Sequence, residues 1–277
     1  MKTEWIEFSF NNSIISHSQT KQILLIKFIF LITSIPVYSQ SLFESPLTPF
    51  LLDIENADDI QPFNIDSSEL YVYTQVPDLS QLSVHDRKKK FIDLILPSIL
   101  IEKSKIKTAY NYVLDNFDNI YPNNLTQSLY DYCNCITADE LLLCLSEQPT
   151  SIIIAQAAIE SGWGSSRFFV EGFNLFGIHS YKSDEPKIKA TGSLDSDIYV
   201  KKYDSISSSI FDYLRTLAKG YAYNNFRKIR AEEVDVTDMI KYLDRYSERR
   251  ELYINDLKLI IEYNHLMYYD TLEFYLK

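Results

Sequence analysis

The sequence predicts a mainly α fold with one small β-hairpin lobe, and three observations carry that prediction. From Phe91 onward apolar residues recur at helical spacings. Residues 152–160 are apolar apart from Gln156 and Glu160, as in a buried helix, and Gly162 and Gly164 end the run. Residues 187–190 and 198–203 are strand-like and are separated by the turn residues Thr191-Gly192-Ser193 and an acidic Asp195-Ser196-Asp197. A chain of 277 residues, 46% of them hydrophobic, is ample for such a core. The formal net charge of −11 argues against nucleic acid as a partner, and there is no basic patch for holding an acidic surface.

Along the chain, residues 1–39 are expected to be a signal peptide. A polar leader precedes an apolar run over 22–37, which ends in Val37-Tyr38-Ser39. An uncleaved anchor is the alternative. Residues 40–89 are expected to be an acidic connector, poorly structured because of Pro46, Pro49, Pro62 and Pro77. Within it Leu70-Tyr71-Val72-Tyr73 is strand-like but has no evident partner. Arg87-Lys88-Lys89-Lys90 suits a solvated helix start.

Residues 90–277 form the expected main domain. Its first helix buries Phe91, Ile92, Ile95, Ile99 and Ile106, with a kink or stagger expected at Pro97. Shorter helices are expected over 125–132 and 138–145. Cys133, Cys135 and Cys144 allow one disulfide with one thiol left over, and Cys133–Cys144 and Cys135–Cys144 are both open. An amphipathic helix over 205–218 turns Ile206, Ile210, Tyr213, Leu214 and Leu217 inward. A last helix over 248–267 buries Leu252, Leu257, Ile260, Ile261 and Asn264 or Leu266. No motif implies a metal, nucleotide or flavin; His179 stands without a second ligand at suitable spacing.

The chemistry concentrates at 151–179. Pro149-Thr150-Ser151 is a helix-start signal. Gln156 and Glu160 lie four apart and share one helix face, and Trp163 falls near it. A carboxylate in the last turn of an apolar helix meets poor solvation and the negative end of the helix dipole. Both raise its pKa, which suits a general acid. The alternative is a glutamate that faces solvent or pairs with Arg167.

Residues 155–164, AQAAIESGWG, followed by SSRFFVEGFNLFGI, resemble the signature of bacterial N-acetylglucosaminidases of glycoside hydrolase family 73, in particular the Bax-type branch. The match continues at YVKKYDSISSSIFDYLRTL, AYNNFRKIRAE and YSERRELYINDLKLIIEYNHL, in the family's order. The resemblance implies a lysozyme-like helical domain with the hairpin lobe across a cleft. It also implies an exported hydrolase that cuts the β-1,4 bond after N-acetylglucosamine in peptidoglycan glycan strands, without nucleic acid or nucleotide. Glu160 takes the place of the catalytic acid, and Tyr223 best matches an active-site tyrosine.

The same resemblance places Asn174 and Phe176 along the glycan cleft; Gln156 and Trp163, on or near the Glu160 face, are further candidate substrate contacts. For Asn174 the alternative is holding its loop, and for Phe176 packing. Asp184 and Glu185, ahead of Asp195 and Asp197, are the candidates for a second catalytic group. Bax-type proteins often carry a histidine–glutamate pair near the strand that becomes Ile198-Tyr199 here, and this chain lacks it. Arg227 and Arg230 suit an exposed turn, where they would meet substrate carboxylates or form salt bridges. A lytic transglycosylase and an inactive glycan-binding domain are the competing functions.

Overall fold

The computed structural model describes residues 42–65, 69–190, 198–232 and 234–272. The expected signal peptide, Asp195 and Asp197 lie outside the described residues. Nine α-helices and four short strands are described. Their centre is α1 (Val84–Asp115), whose N-terminus is capped by Ser83, the side chain accepting from the Asp86 amide at 3.2 Å. Every residue from Phe91 to Glu102 is buried, so this part of α1 is surrounded on all sides. The helix runs unbroken through Pro97. The single missing N–H at Pro97 does not end the helix, which is buried on all sides there.

The stretch expected as a poorly structured connector is folded where it is described. Strand β1 (Pro49–Leu52) pairs in parallel with β2 (Leu70–Tyr73), Pro49 opposite Leu70. Ile54, Ile60, Leu70, Val72, Tyr73, Val76 and Leu79 are buried against the helices. Polar ties fix this strap to α1. The Phe63 amide donates to Asp93 Oδ1 at 2.9 Å, and Lys90 Nζ donates to the Ile60 carbonyl at 2.8 Å. Lys88 Nζ donates to Asn264 Oδ1 at 2.9 Å, so the basic run at the start of α1 is partly engaged in clamping.

Around α1 stand β2, α3 (Ala138–Leu145), α4 (Thr150–Ser161) and α6 (Ile206–Lys219). A capping box opens α3, with Thr137 and Glu140 each bonded to the other's backbone amide. The preceding α2 (Gln127–Cys133) is tied to α3 by a Cys133–Cys144 disulfide, with Cα atoms 5.7 Å apart. Cys135 is the free thiol, and burial pushes its pKa up to about 11. Helix α4 is buried over nearly its whole length and packs on α1 and α9 (Glu251–Tyr263). Past its end, Gly164 has φ +80°, and a Cβ there would lie 2.9 Å from the Phe91 ring and 3.0 Å from Leu79. Only glycine lets the chain turn this tightly onto both α1 and the strap.

A short α5 (Arg167–Gly172), which the sequence pattern did not announce, leads into the hairpin. Strands β3 (Lys187–Lys189) and β4 (Tyr199–Lys201) are antiparallel, with Ile188 opposite Val200. Helices α7 (Asn224–Ala231) and α8 (Val236–Met239) then connect α6 to α9. On α9 the expected inward residues Leu257 and Ile261 are buried, and the difference from expectation lies in the first turn. Leu252 is 62% exposed, and Tyr253, at 1%, takes the inward position together with Leu257 and Ile261.

Candidate active site

Glu160 occupies the last turn of α4, where it is partly exposed. Burial lifts its carboxyl above the usual range, and a hydrogen bond from the Tyr253 hydroxyl pulls it partway back. Arg167, the expected salt-bridge alternative, is elsewhere. Its guanidinium bonds Glu171 Oε2 at 3.1 Å and the Lys189 carbonyl at 2.9 Å.

The Tyr253 hydroxyl is aimed by a chain of directed hydrogen bonds. Tyr213 Oη donates to Gln156 Oε1 at 2.6 Å, which fixes the amide so that its Nε2 donates to Tyr253 Oη at 3.0 Å. With that acceptor position filled, the Tyr253 proton is left for Glu160. Gln156 and Tyr213 are fully buried. Gln156 is therefore an internal strut four residues before the acid, and the expected substrate contact is corrected.

Aromatic rings close the same space. Phe176 stacks on Tyr213 with centroids 3.9 Å apart and planes within 9°, and is buried, so it packs rather than facing sugar. Tyr246 stacks on Tyr253 at 5.7 Å and meets Tyr213 edge-on at 6.2 Å. Tyr223 approaches Tyr246 at 6.3 Å and is 9% exposed. Burial pushes the hydroxyls of Tyr213, Tyr223, Tyr246 and Tyr253 above the ordinary phenol range, so all four stay neutral at neutral pH.

The Asn174–Ile178 turn supplies the opposite wall. Gly177 has φ +64°, and a Cβ there would sit 3.9 Å from Glu160 Oε2, so this turn lies against the acid. Asn174 holds the turn in place. Its Nδ2 donates to the carbonyls of Ile178 (3.0 Å) and Lys201 (2.8 Å), and its Oδ1 accepts from the Ile178 amide at 2.9 Å. Buried and bonded to backbone on both ends of the amide, it fits the loop-holding alternative and not the sugar contact. Trp163 lies in the left-handed region at φ +56° and points to α1, meeting Phe91 at 5.7 Å, with Lys88 Nζ 4.9 Å from its ring centroid.

The hairpin carboxylates are not brought to Glu160 by any described interaction. Asp184 is exposed. Glu185 Oε1 accepts from Ser180 Oγ at 2.7 Å, and that hydrogen bond holds its carboxyl below the usual range. His179 is exposed and pairs in an isolated bridge with Val200. The two arginines are also not where their spacing suggested. Arg227 donates to the Leu217 and Gly220 carbonyls at the end of α6, and Arg230 is buried. Among the described residues no three His, Cys, Asp or Glu groups lie close enough to hold a metal ion.

Tyr213, Tyr246 and Tyr253 are the site residues that sequence reasoning missed. No local signal marks them, since Tyr246 lies in the turn before α9 and meets Tyr253 without sharing a helix with it.

Residues 142–266 match the family model described as mannosyl-glycoprotein endo-beta-N-acetylglucosaminidase. Protein bax of Escherichia coli (strain K12) is 28% identical over 203 residues, which is 66% of this chain and 72% of that protein. Two solved structures are also similar. The catalytic domain of the autolysin Auto from Listeria monocytogenes is 25% identical, covering 57% of this chain and 96% of that one, at a TM-score of 0.36. A peptidoglycan hydrolase from Sphingomonas sp. A1 is 22% identical, covering 52% and 92%, at a TM-score of 0.38. The stretch that is similar to the glucosaminidase family model, residues 142–266, holds Glu160 and all four tyrosines around it.

Proposed function

We propose that this domain is an exported peptidoglycan hydrolase that cleaves the β-1,4 bond after N-acetylglucosamine, with Glu160 as the general acid. The observation that carries the reading is a half-buried carboxyl held by a neutral tyrosine hydroxyl, with no cation contributing to its pKa shift. Such a group keeps a proton at higher pH than an exposed glutamate. In the cleft it gives that proton to the leaving glycosidic oxygen as the C1–O bond breaks and positive charge develops at C1.

The displaced bond needs a partner at C1. In this reading the substrate's own acetamido oxygen serves as the internal nucleophile, a route that needs no second carboxylate. It attacks C1 as the leaving oxygen takes the Glu160 proton. The resulting Glu160 carboxylate then accepts a proton from the water that opens the cyclic intermediate, which restores both the acid and the acetamido group. Tyr223, at the edge of the tyrosine cluster, would orient the acetamido group. Export is supported by the apolar segment over 22–37 and by the Cys133–Cys144 disulfide, a bond that persists in oxidising compartments.

The test is digestion of purified peptidoglycan with mass analysis of the products. Fragments with a reducing N-acetylglucosamine end are expected. Ends in 1,6-anhydro sugar would replace this reading with a lytic transglycosylase, and binding without cleavage would replace it with a glycan-binding domain.

A further inference from the structure

A cavity of about 710 Å³ opens at the other end of α4, between α1, α3, α6 and α7. It begins at Gln148 and Pro149, so about 15 Å of helix separates it from Glu160. Its volume is in the range that ordinarily holds a small ligand. Arg230 lines it and is 6% exposed, and among the described residues it forms no ion pair. The guanidinium donates only to neutral acceptors: the Leu143 and Cys144 carbonyls at 3.1 and 2.8 Å, Gln148 Oε1 at 3.1 Å and Ser146 Oγ at 3.4 Å. These account for four of its five N–H groups. Burial brings the Arg230 pKa down to about 10, so the group is still charged at neutral pH.

Capping the end of α3 explains the two carbonyl bonds, but it does not explain the rest of the lining. Tyr132 is 4% exposed, and its hydroxyl has no hydrogen-bond partner. Gln148, also 4% exposed, has an Nε2 that lies near the Tyr213 hydroxyl, lowering its pKa, yet makes no hydrogen bond of normal geometry. A buried polar group without a partner is rare because each costs about 1–3 kcal/mol. Here two occur beside a buried cation, in one cavity. At the mouth, Lys103 is paired with Glu147 at 2.9 Å and Lys107 stands next to them. Much of the remaining wall is apolar, with Ile106, Leu142, Leu214, Val234 and Met239, and Tyr110, Asn111 and Asp139 line it too.

We propose that this cavity is a second ligand site, separate from the hydrolytic one, that takes a carboxylate carried on an apolar body. The carboxylate accepts from Arg230 and Tyr132, and the apolar body lies along Ile106, Leu142 and Met239. A fatty acid and the C-terminal end of a small apolar peptide share that chemistry.

Titration calorimetry of the full chain with octanoate and with alanyl-alanine distinguishes the two sources. One of them is expected to bind at one site per chain. Tyr132→Phe removes a hydroxyl that has no partner in the fold, so this variant should melt no lower than the parent. It should bind the carboxylate about fivefold or more weakly. Met239→Arg, which fills the wall, should abolish binding, and Glu160→Gln should leave it unchanged. Absence of binding by both probes at millimolar concentration overturns the proposal. So does binding that survives both cavity substitutions, or that Glu160→Gln alters.

Discussion

Two helical glutamates of this protein, one buried and one half-buried, are accommodated in opposite ways. Glu102, in the middle of α1, is 1% exposed, and Lys105 Nζ stands 2.7 Å from its Oε1. Glu160, at the end of α4, keeps an opening to solvent and is met by the Tyr253 hydroxyl. Burial raises the pKa of both, but at Glu102 a cation opposes it and at Glu160 only a neutral donor does. The difference teaches what separates a structural carboxylate from a chemical one. A buried glutamate with an ammonium partner is anchored in place, whereas one with a hydroxyl partner can gain and lose a proton without breaking an ion pair.

The strongest test of that contrast exchanges each acid for its amide. Glu160→Gln should lose about 10²–10⁴ in turnover on peptidoglycan, the usual worth of general acid catalysis, and keep its melting temperature. Glu102→Gln should retain turnover. If the two variants lose activity equally, the contrast has no functional meaning.

A second test removes the neutral donor. In Tyr253→Phe the hydrogen bond that lowers the Glu160 pKa is gone, so the acid should hold its proton to higher pH. The alkaline limb of the activity profile should move upward in pH, with turnover reduced by about tenfold through loss of alignment. A limb that stays fixed would assign it to another group. Gln156→Leu should move the limb in the same direction by a smaller amount, since it leaves Tyr253 in place but unaimed.

The smallest effect belongs to the cation. Lys105→Met strips Glu102 of the charge that opposes burial, so its pKa in the folded state rises further above the unfolded value. Stability tied to the neutral form is complete below the unfolded pKa and is lost as pH rises through the folded one. The variant's melting temperature should therefore fall more steeply than the parent's between about pH 4 and 7. Parallel melting curves would mean that Lys105 does not hold Glu102.

Much of this was legible in the sequence where the signal is local. The bounds of α3 follow from Thr137 and Glu140, and the end of α4 from Gly162. The position of Glu160 on a buried helix follows from the isoleucines and alanines around it. What was not legible depends on distant partners. Gln156 stands out as polar in an apolar run, but nothing local says that two tyrosines 57 and 97 residues away complete it. Strand β2 found its partner in β1 through parallel pairing, which carries no hairpin turn to betray it. Tyr253 was hidden because Leu252 beside it is the more apolar side chain, yet the tyrosine ring goes inward, in phase with Leu257 and Ile261, and Gln156 gives its hydroxyl a partner.

The strap, α1 and the disulfide also decide where this chain can be cut. The family match begins at residue 142, inside α3. A truncated chain that starts there would lack the capping box, leave Cys144 without Cys133, and remove the Phe91 ring that touches both Trp163 and Phe169. The family model therefore has a narrower border here than the fold does. Recombinant work aimed at the matched stretch alone has to begin ahead of β1, about ninety residues before the family-model match does.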